Sequence, residues 1–183
     1  VVYMTRAGVY RAERGDIAEA DIIETLIDTP SKLPDPSTFD EVLEPYVRLE
    51  IMTPTEFTGP LMELGQSRRG IFIEMKYLTP TRTALIYELP LAEVITDFFD
   101  QLKSRTKGYA SMSFSEIGYR PDKLVKLDIR INGEDAPPLS SIVPREKAHD
   151  IGKAVCNKLK QLIPRQQFKV PIQAVIGNKP VAS

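Results

Sequence analysis

Tryptophan is absent from these 183 residues, and cysteine and histidine occur once each, as Cys156 and His149. One thiol cannot close an internal disulfide or build a cysteine-rich zinc site. One imidazole excludes multi-histidine metal sites and argues against Ser-His-Asp and Cys-His catalysis. No run approaches the roughly 20 apolar residues that a membrane-spanning helix needs. Neither G-x-x-x-x-G-K-[ST] nor G-x-G-x-x-G occurs, so the phosphate-cradling loops of nucleotide enzymes are missing. What remains is ordinary globular composition, 42% hydrophobic and 27% charged. Val1 opens an apolar run, not a leader peptide, and Ser183 follows a strand-like run, so the sequence is expected to be a piece of a longer protein.

Charge is distributed unevenly. Residues 1–45 hold 4 basic and 10 acidic side chains, 46–120 hold 9 and 9, and 121–183 hold 11 and 6. This asymmetry points to the last third as the part that meets a polyanion. Between Asp28 and Asp40, Pro30, Pro34 and Pro36 alternate with Ser31, Ser37 and Thr38, which predicts a stiff polar linker over 29–43. Domains are then expected at 1–28, the end of a preceding α+β domain, at 44–120 and at 121–183.

The middle segment carries the clearest pattern. Val47, Leu49 and Ile51 alternate with polar residues as in a strand, and Thr53-Pro54-Thr55-Glu56 matches a capping box that predicts a helix starting at Pro54 and stopping at Gly70. Ile71, Ile73, Met75 and Tyr77, a turn at Pro80, and Thr83, Leu85, Tyr87 and Leu89 predict a hairpin. Leu91, Val94, Ile95, Phe98 and Leu102 predict one amphipathic helix, and Ala110, Met112 and Phe114 a further strand. The order βαββαβ is that of a ferredoxin-like sandwich, with two helices on one face of four strands. Beyond it, Val125 to Ile131, ending at Asn132-Gly133, reads as a strand and Ala148 to Leu162 as a helix. Phe168 to Ile176 reads as a last strand, placed at a sheet edge by Pro171. This is a small α+β unit.

Candidate chemistry is sparse. Lys107 to Phe114 resembles an RNA-recognition octamer, but it follows the second helix and has Ser111 where a stacking aromatic belongs, which favours an ordinary strand. Glu93, Asp97 and Asp100 lie opposite the apolar stripe and read as a solvated face, His149 as a surface residue and Cys156 as packing. The basic set is harder to dismiss: Arg145, Lys147, Lys153, Lys158, Lys160, Arg165, Lys169 and Lys179 fall within 35 residues against Glu146 and Asp150. Arg165-Gln166-Gln167 after Pro164 can present a guanidinium and amides to phosphate and sugar. Phosphate-backbone binding by Arg145, Lys147, Lys153, Arg165, Gln166, Gln167, Lys169 and Lys179 is the expectation, with a second contact at Gln66, Arg68 and Arg69. Two rivals stand beside it. An acyl-phosphate hydrolase of the same plan needs an arginine in the first strand-to-helix loop, which Met52-Thr53-Pro54-Thr55 does not supply. A non-catalytic protein-interaction or small-ligand regulatory module is the other.

Several segments carry a more specific resemblance: Pro30-Ser31-Lys32-Leu33-Pro34-Asp35-Pro36, Glu44-Pro45-Tyr46-Val47, Met62-Glu63-Leu64 with Arg68-Arg69-Gly70, Tyr87-Glu88-Leu89-Pro90-Leu91-Ala92-Glu93, Ile117-Gly118-Tyr119-Arg120 and Ile163-Pro164-Arg165-Gln166-Gln167-Phe168. In these the chain resembles the LepA family, elongation factor 4, of ribosome-bound translational GTPases. The resemblance implies that 44–120 is similar to the last domain of elongation factor G and that 121 onward opens the C-terminal domain peculiar to LepA, cut before its basic tail. It implies contacts with ribosomal RNA and proteins and with tRNA. GTP and Mg would sit in a GTPase domain upstream, and the role would be back-translocation or rescue of stalled ribosomes. It also implies a monomer in the bacterial cytoplasm, peripheral to a membrane in the parent protein, with a plastid or mitochondrion as the alternative. Val143-Pro144-Arg145-Glu146-Lys147-Ala148-His149 departs from the family's Val-His-Arg-Asp-Lys-Ala-Tyr.

Overall fold

The computed structural model describes residues 1–9, 12, 13, 16, 17, 21–162 and 170–183. In chain order the elements are β1 (Tyr3–Val9), β2 (Ala12–Glu13), β3 (Asp16–Ile17), β4 (Asp21–Ile27), β5 (Glu41–Pro54), α1 (Thr58–Ser67), β6 (Ile71–Thr79), β7 (Arg82–Pro90), α2 (Leu91–Val94), α3 (Phe98–Arg105) and β8 (Ser111–Asp122). They continue with β9 (Leu124–Ile131), β10 (Glu134–Asp135), β11 (Ser141–Pro144), α4 (Ala148–Leu162), β12 (Ile172–Ile176) and β13 (Lys179–Ala182). The chain divides into two compact units, Glu44–Arg120 with Val1, and Val2–Leu43 with Pro121–Ser183.

In the first unit β5 pairs antiparallel with β7 from Tyr46↔Pro90 to Pro54↔Arg82, β7 pairs antiparallel with β6, and β8 pairs with β5. The strand order β8-β5-β7-β6 is that of the ferredoxin-like sandwich. Alternation along β5 and β7 sends Val47, Leu49, Ile51, Leu85, Tyr87 and Leu89 into one core with Leu61, Leu64, Val94, Phe98 and Leu102 from the helices. β6 is the sheet edge, and Ile71, Phe72, Ile73, Met75, Tyr77 and Leu78 along it are all exposed. Its ladder with β7 shifts register between Phe72 and Glu74 and again between Tyr77 and Thr79.

Three local expectations are corrected here. The capping box does not start a helix at Pro54, because the β5–β7 ladder continues to that residue and Thr55 N–H then donates to Thr81 O at 2.9 Å. Thr55 Oγ1 meets Thr83 Oγ1 at 2.9 Å, a single turn of tight helix follows, and α1 begins at Thr58. The second predicted helix is two pieces. It breaks at residues 95–97, so that Val94, Phe98 and Leu102 stay buried while Ile95 turns out to 56% exposure. The helix stop expected at Gly70 falls one residue earlier, where Arg69 takes the left-handed conformation (φ 58°) and Gly70 N–H donates back to Gly65 O at 2.9 Å.

The second unit is built on β9. β12 pairs along one side of it from Ile172↔Ile131 to Ile176↔Leu127, while β10 and β11 pair with its two ends on the other side. Leu127, Ile129, Val143, Ile172 and Ala174 form a core with Ala148 and Cys156 of α4. β12 is not an edge: it lies between β9 and β13, and Pro171 precedes it, offering its carbonyl to Asn132 N–H at 2.8 Å. The 29–43 stretch, expected as a stiff polar linker, holds two single turns of tight helix, Pro30–Lys32 and Pro36–Thr38. Leu33 and Phe39 pack against Ile27, Val42, Leu124 and Ile142, and Asp35 accepts from Ser37 N–H at 3.0 Å, which holds its carboxyl below the usual range. β1 pairs with β4 along its whole length and with the first residues of β5.

Candidate nucleic-acid interface

The strongest candidate lies on α4. The 15-residue helix seats Ala148, Gly152 and Cys156 on the sheet, a spacing of four that keeps one stripe inward. The approach is close, because a Cβ on Gly152 would stand 2.7 Å from Ala174 Cβ. Burial pushes the Cys156 thiol pKa up, against the opposing effects of the Lys160 charge and the Ala174 backbone. A thiol so placed packs and does not attack.

With that stripe fixed, the helical period assigns the cations to flanks. His149, Lys153 and Lys160 fall on one flank at intervals of four and seven, while Lys158 falls on the other. A groove of about 520 Å³ is lined by His149, Lys153, Gln173, Pro180, Val181, Ala182 and Ser183. A second, of about 650 Å³, is lined by Lys160, Val170, Pro171, Ile172, Gln173 and Ser183. The two share Gln173 and Ser183 in their walls, with Lys153 at one and Lys160 at the other. Among the described residues neither lysine enters an ion pair. His149 is exposed, with Nδ1 3.4 Å from Asp150 Oδ1.

The rest of the basic set is dispersed. Arg145 lines a different groove, with Phe39, Glu41, Asp122 and Lys123 among its walls. Lys147 is half-buried just before α4, and Lys179 is exposed at the start of β13. Arg165, Gln166, Gln167 and Lys169 lie outside the described residues.

The loop after α1 behaves differently from the expectation of an outward contact. Gln66 is exposed, but both arginines are turned to carboxylates of their own unit. Arg68 Nη1 lies 2.8 Å from Asp97 Oδ1, and this hydrogen bond holds the Asp97 carboxyl below its ordinary range. Arg69 reaches Glu44 with Nη1 at 2.6 Å and Nη2 at 3.2 Å, and Glu93 with Nε at 3.0 Å. Burial alone would lower the Arg69 pKa, but the bonds and charges of Glu44 and Glu93 outweigh it and the net shift is upward. The supposed solvated carboxylates Glu93 and Asp97 are thus structural partners. Glu93 lies on α2 and Asp97 in the break before α3, and no sequence period announces a break. Within the octamer, Ser111 opens β8, Met112 packs on the core, and Tyr109 and Phe114 are exposed.

Among the described residues no group of three or more His, Cys, Asp or Glu is placed to hold a metal ion, and no helix is long and apolar enough to cross a membrane.

Comparison with known proteins matches residues 41–130 to the family model "Elongation factor G C-terminus" and residues 131–183 to "GTP-binding protein LepA C-terminus". The chain is 62% identical over 160 residues to "Translation factor GUF1 homolog, mitochondrial" of Phaeodactylum tricornutum, which covers 87% of this chain and 23% of that protein. It is 62% identical over 157 residues to "Elongation factor 4" of Synechococcus elongatus, with 86% and 26% covered, and 61% identical over 158 residues to "Elongation factor 4" of Trichodesmium erythraeum, with the same coverage. The chain spans about a quarter of the length of these relatives. Two consecutive matches in the order expected from the residues, and this level of identity across most of the sequence, place the chain in the LepA, or elongation factor 4, family of translation factors.

Proposed function

We propose that this chain is the RNA-facing, non-catalytic part of a translational GTPase that works on the ribosome during elongation, in back-translocation or the rescue of stalled ribosomes. GTP and Mg belong to a domain outside the sequence, and the residues here position the factor against ribosomal RNA and tRNA. The compartment is a bacterial cytoplasm or an organelle, in keeping with relatives that include bacterial proteins and one named mitochondrial. The observation that carries the reading is the flank of α4, where Lys153 and Lys160 each line an open groove and, among the described residues, neither enters an ion pair. An unpaired ammonium beside an open groove attracts phosphate and reads no base, so recognition is by backbone position and not by sequence. Lys147, Lys179 and the 165–169 segment would extend the contact, and Gln66, left exposed where Arg68 and Arg69 turn to carboxylates, would add a second one.

The test is the salt dependence of tRNA binding by fluorescence anisotropy. Removing one cation that neutralises a phosphate should reduce the log–log slope by about 0.7 to 0.9, so K153Q/K160Q should flatten it by roughly 1.5. A slope unchanged in the double variant moves the interface elsewhere. Cross-links to ribosomal protein with no RNA adducts would favour the protein-interaction module instead.

A further inference from the structure

The first unit presents an aromatic and cationic surface that the α4 reading does not use. Phe99 on α3 is 47% exposed, and Tyr109, just before β8, is 66% exposed. Lys103 stands beside the first of them. Its Nζ lies 5.5 Å from the Phe99 ring centroid and donates to Gly108 O at 3.3 Å, the carbonyl joined to the Tyr109 amide.

The turn that holds Tyr109 outward is firmly built. Lys107 and Gly108 both adopt positive φ, 53° and 83°, and Gly108 N–H donates to Lys103 O at 2.8 Å. Below it Thr106 is buried, donating to Leu102 O at 2.8 Å and accepting from Ala110 N–H at 3.1 Å. Ala110 is thereby fixed inside and its neighbour Tyr109 outside. Large rings left in water on a rigid turn lose little conformational freedom when something covers them.

The local charge says what covers them. Residues 98–110 carry Lys103, Arg105 and Lys107 against Asp100 alone, while Asp97 just before them is paired with Arg68. A ring with an ammonium beside it matches a base joined to its phosphate, with the π-face taking the base and the cation taking the backbone. We propose that Phe99 and Tyr109, with Lys103 over the Phe99 ring and bonded to the carbonyl before Tyr109, form a stacking site for unpaired RNA bases, separate from the phosphate-binding flank of α4.

Unpaired RNA and duplex RNA distinguish the two sites. A fluorescein-labelled 12-nucleotide oligouridine and a 12-base-pair RNA duplex are titrated by anisotropy against the chain and against F99L/Y109L, each also in the K153Q/K160Q background. That background keeps the α4 flank from masking the new site. The leucines retain apolar bulk and leave every charge in place, and far-UV circular dichroism melts check that the fold is intact. Stacking is worth about 5- to 160-fold in affinity per base. The variant is expected to bind oligouridine at least 5-fold more weakly and the duplex within 2-fold of the parent. K103Q is expected to lower the salt slope for oligouridine by about 0.7. Unchanged oligouridine affinity in F99L/Y109L, an equal loss on the duplex, or an unchanged slope in K103Q would each overturn the proposal. So would photo-cross-links from position 109 on ribosomes that reach protein and never RNA.

Discussion

Replacing Arg69 by methionine should damage the first unit about as much as truncating a core residue, for an electrostatic reason that can be put in numbers. Glu44 is 1% exposed, and the two Arg69 hydrogen bonds at 2.6 and 3.2 Å hold its carboxylate oxygens, while Glu93 shares the same guanidinium at 3.0 Å. Removing one partner of a buried pair leaves a desolvated charge and costs about 3–5 kcal/mol, whereas neutralising both partners costs far less. R69M is therefore expected to lose about 4 kcal/mol in urea unfolding followed by far-UV circular dichroism, the natural probe in a chain without tryptophan. E44Q/R69M should recover at least half of that loss. The pH dependence has a definite sign. Without its cation the buried carboxyl favours the protonated form, so the single variant gains stability as pH falls from 7 to 5, and the double variant does not. The left-handed backbone at position 69 costs the same in parent and variants and cancels. A loss below about 1 kcal/mol, or one independent of pH, would refute the reasoning, since the guanidinium would then be solvated and not structural.

Two further outcomes follow from α4. Gly152→Val should destabilise the second unit by about 1–3 kcal/mol through overpacking against Ala174, with partial rescue by Ala174→Gly, read as a shift in the urea midpoint. Cys156 should react with a disulfide reagent at pH 8 far more slowly in the native chain than in urea, because burial holds its thiol protonated. Its raised pKa stabilises the fold below the thiol's ordinary value and that contribution fades as pH climbs through the folded one, so the urea midpoint should decline in mildly alkaline buffer.

Much of the architecture was legible because burial obeys simple periods. Alternation marked β5, β7 and β9 directly, and the spacing of Ala148, Ile151, Val155 and Leu159 marked α4, while β6 alternates in sequence although Ile71, Ile73, Met75 and Tyr77 are all exposed. What escaped was decided by tertiary competition. Thr53 to Glu56 carried a valid helix-start signal, yet the β7 ladder kept Pro54 in the strand. Ile95 had the right phase for the core, yet the helix breaks there, and Glu93 and Asp97 on either side of it pair with Arg69 and Arg68. β11 and β13 are four residues each and contain Pro144 and Pro180, so neither stood out against its flanks. The candidate interface was legible as composition but not as placement. The excess of lysine was plain, but which lysines share a flank depended on the stripe that faces the sheet.

The two register shifts in β6 bear on how this unit survives in solution. A nine-residue rim of edge amides flanked by isoleucine, phenylalanine and tyrosine is a ready template for growth into fibres. Its rungs are unevenly spaced, however, and Glu74 and Lys76 interrupt the greasy run, so a flat incoming strand finds no continuous match. Irregularity at that border acts as a guard against self-stacking, and ironing it out would leave the rim sticky.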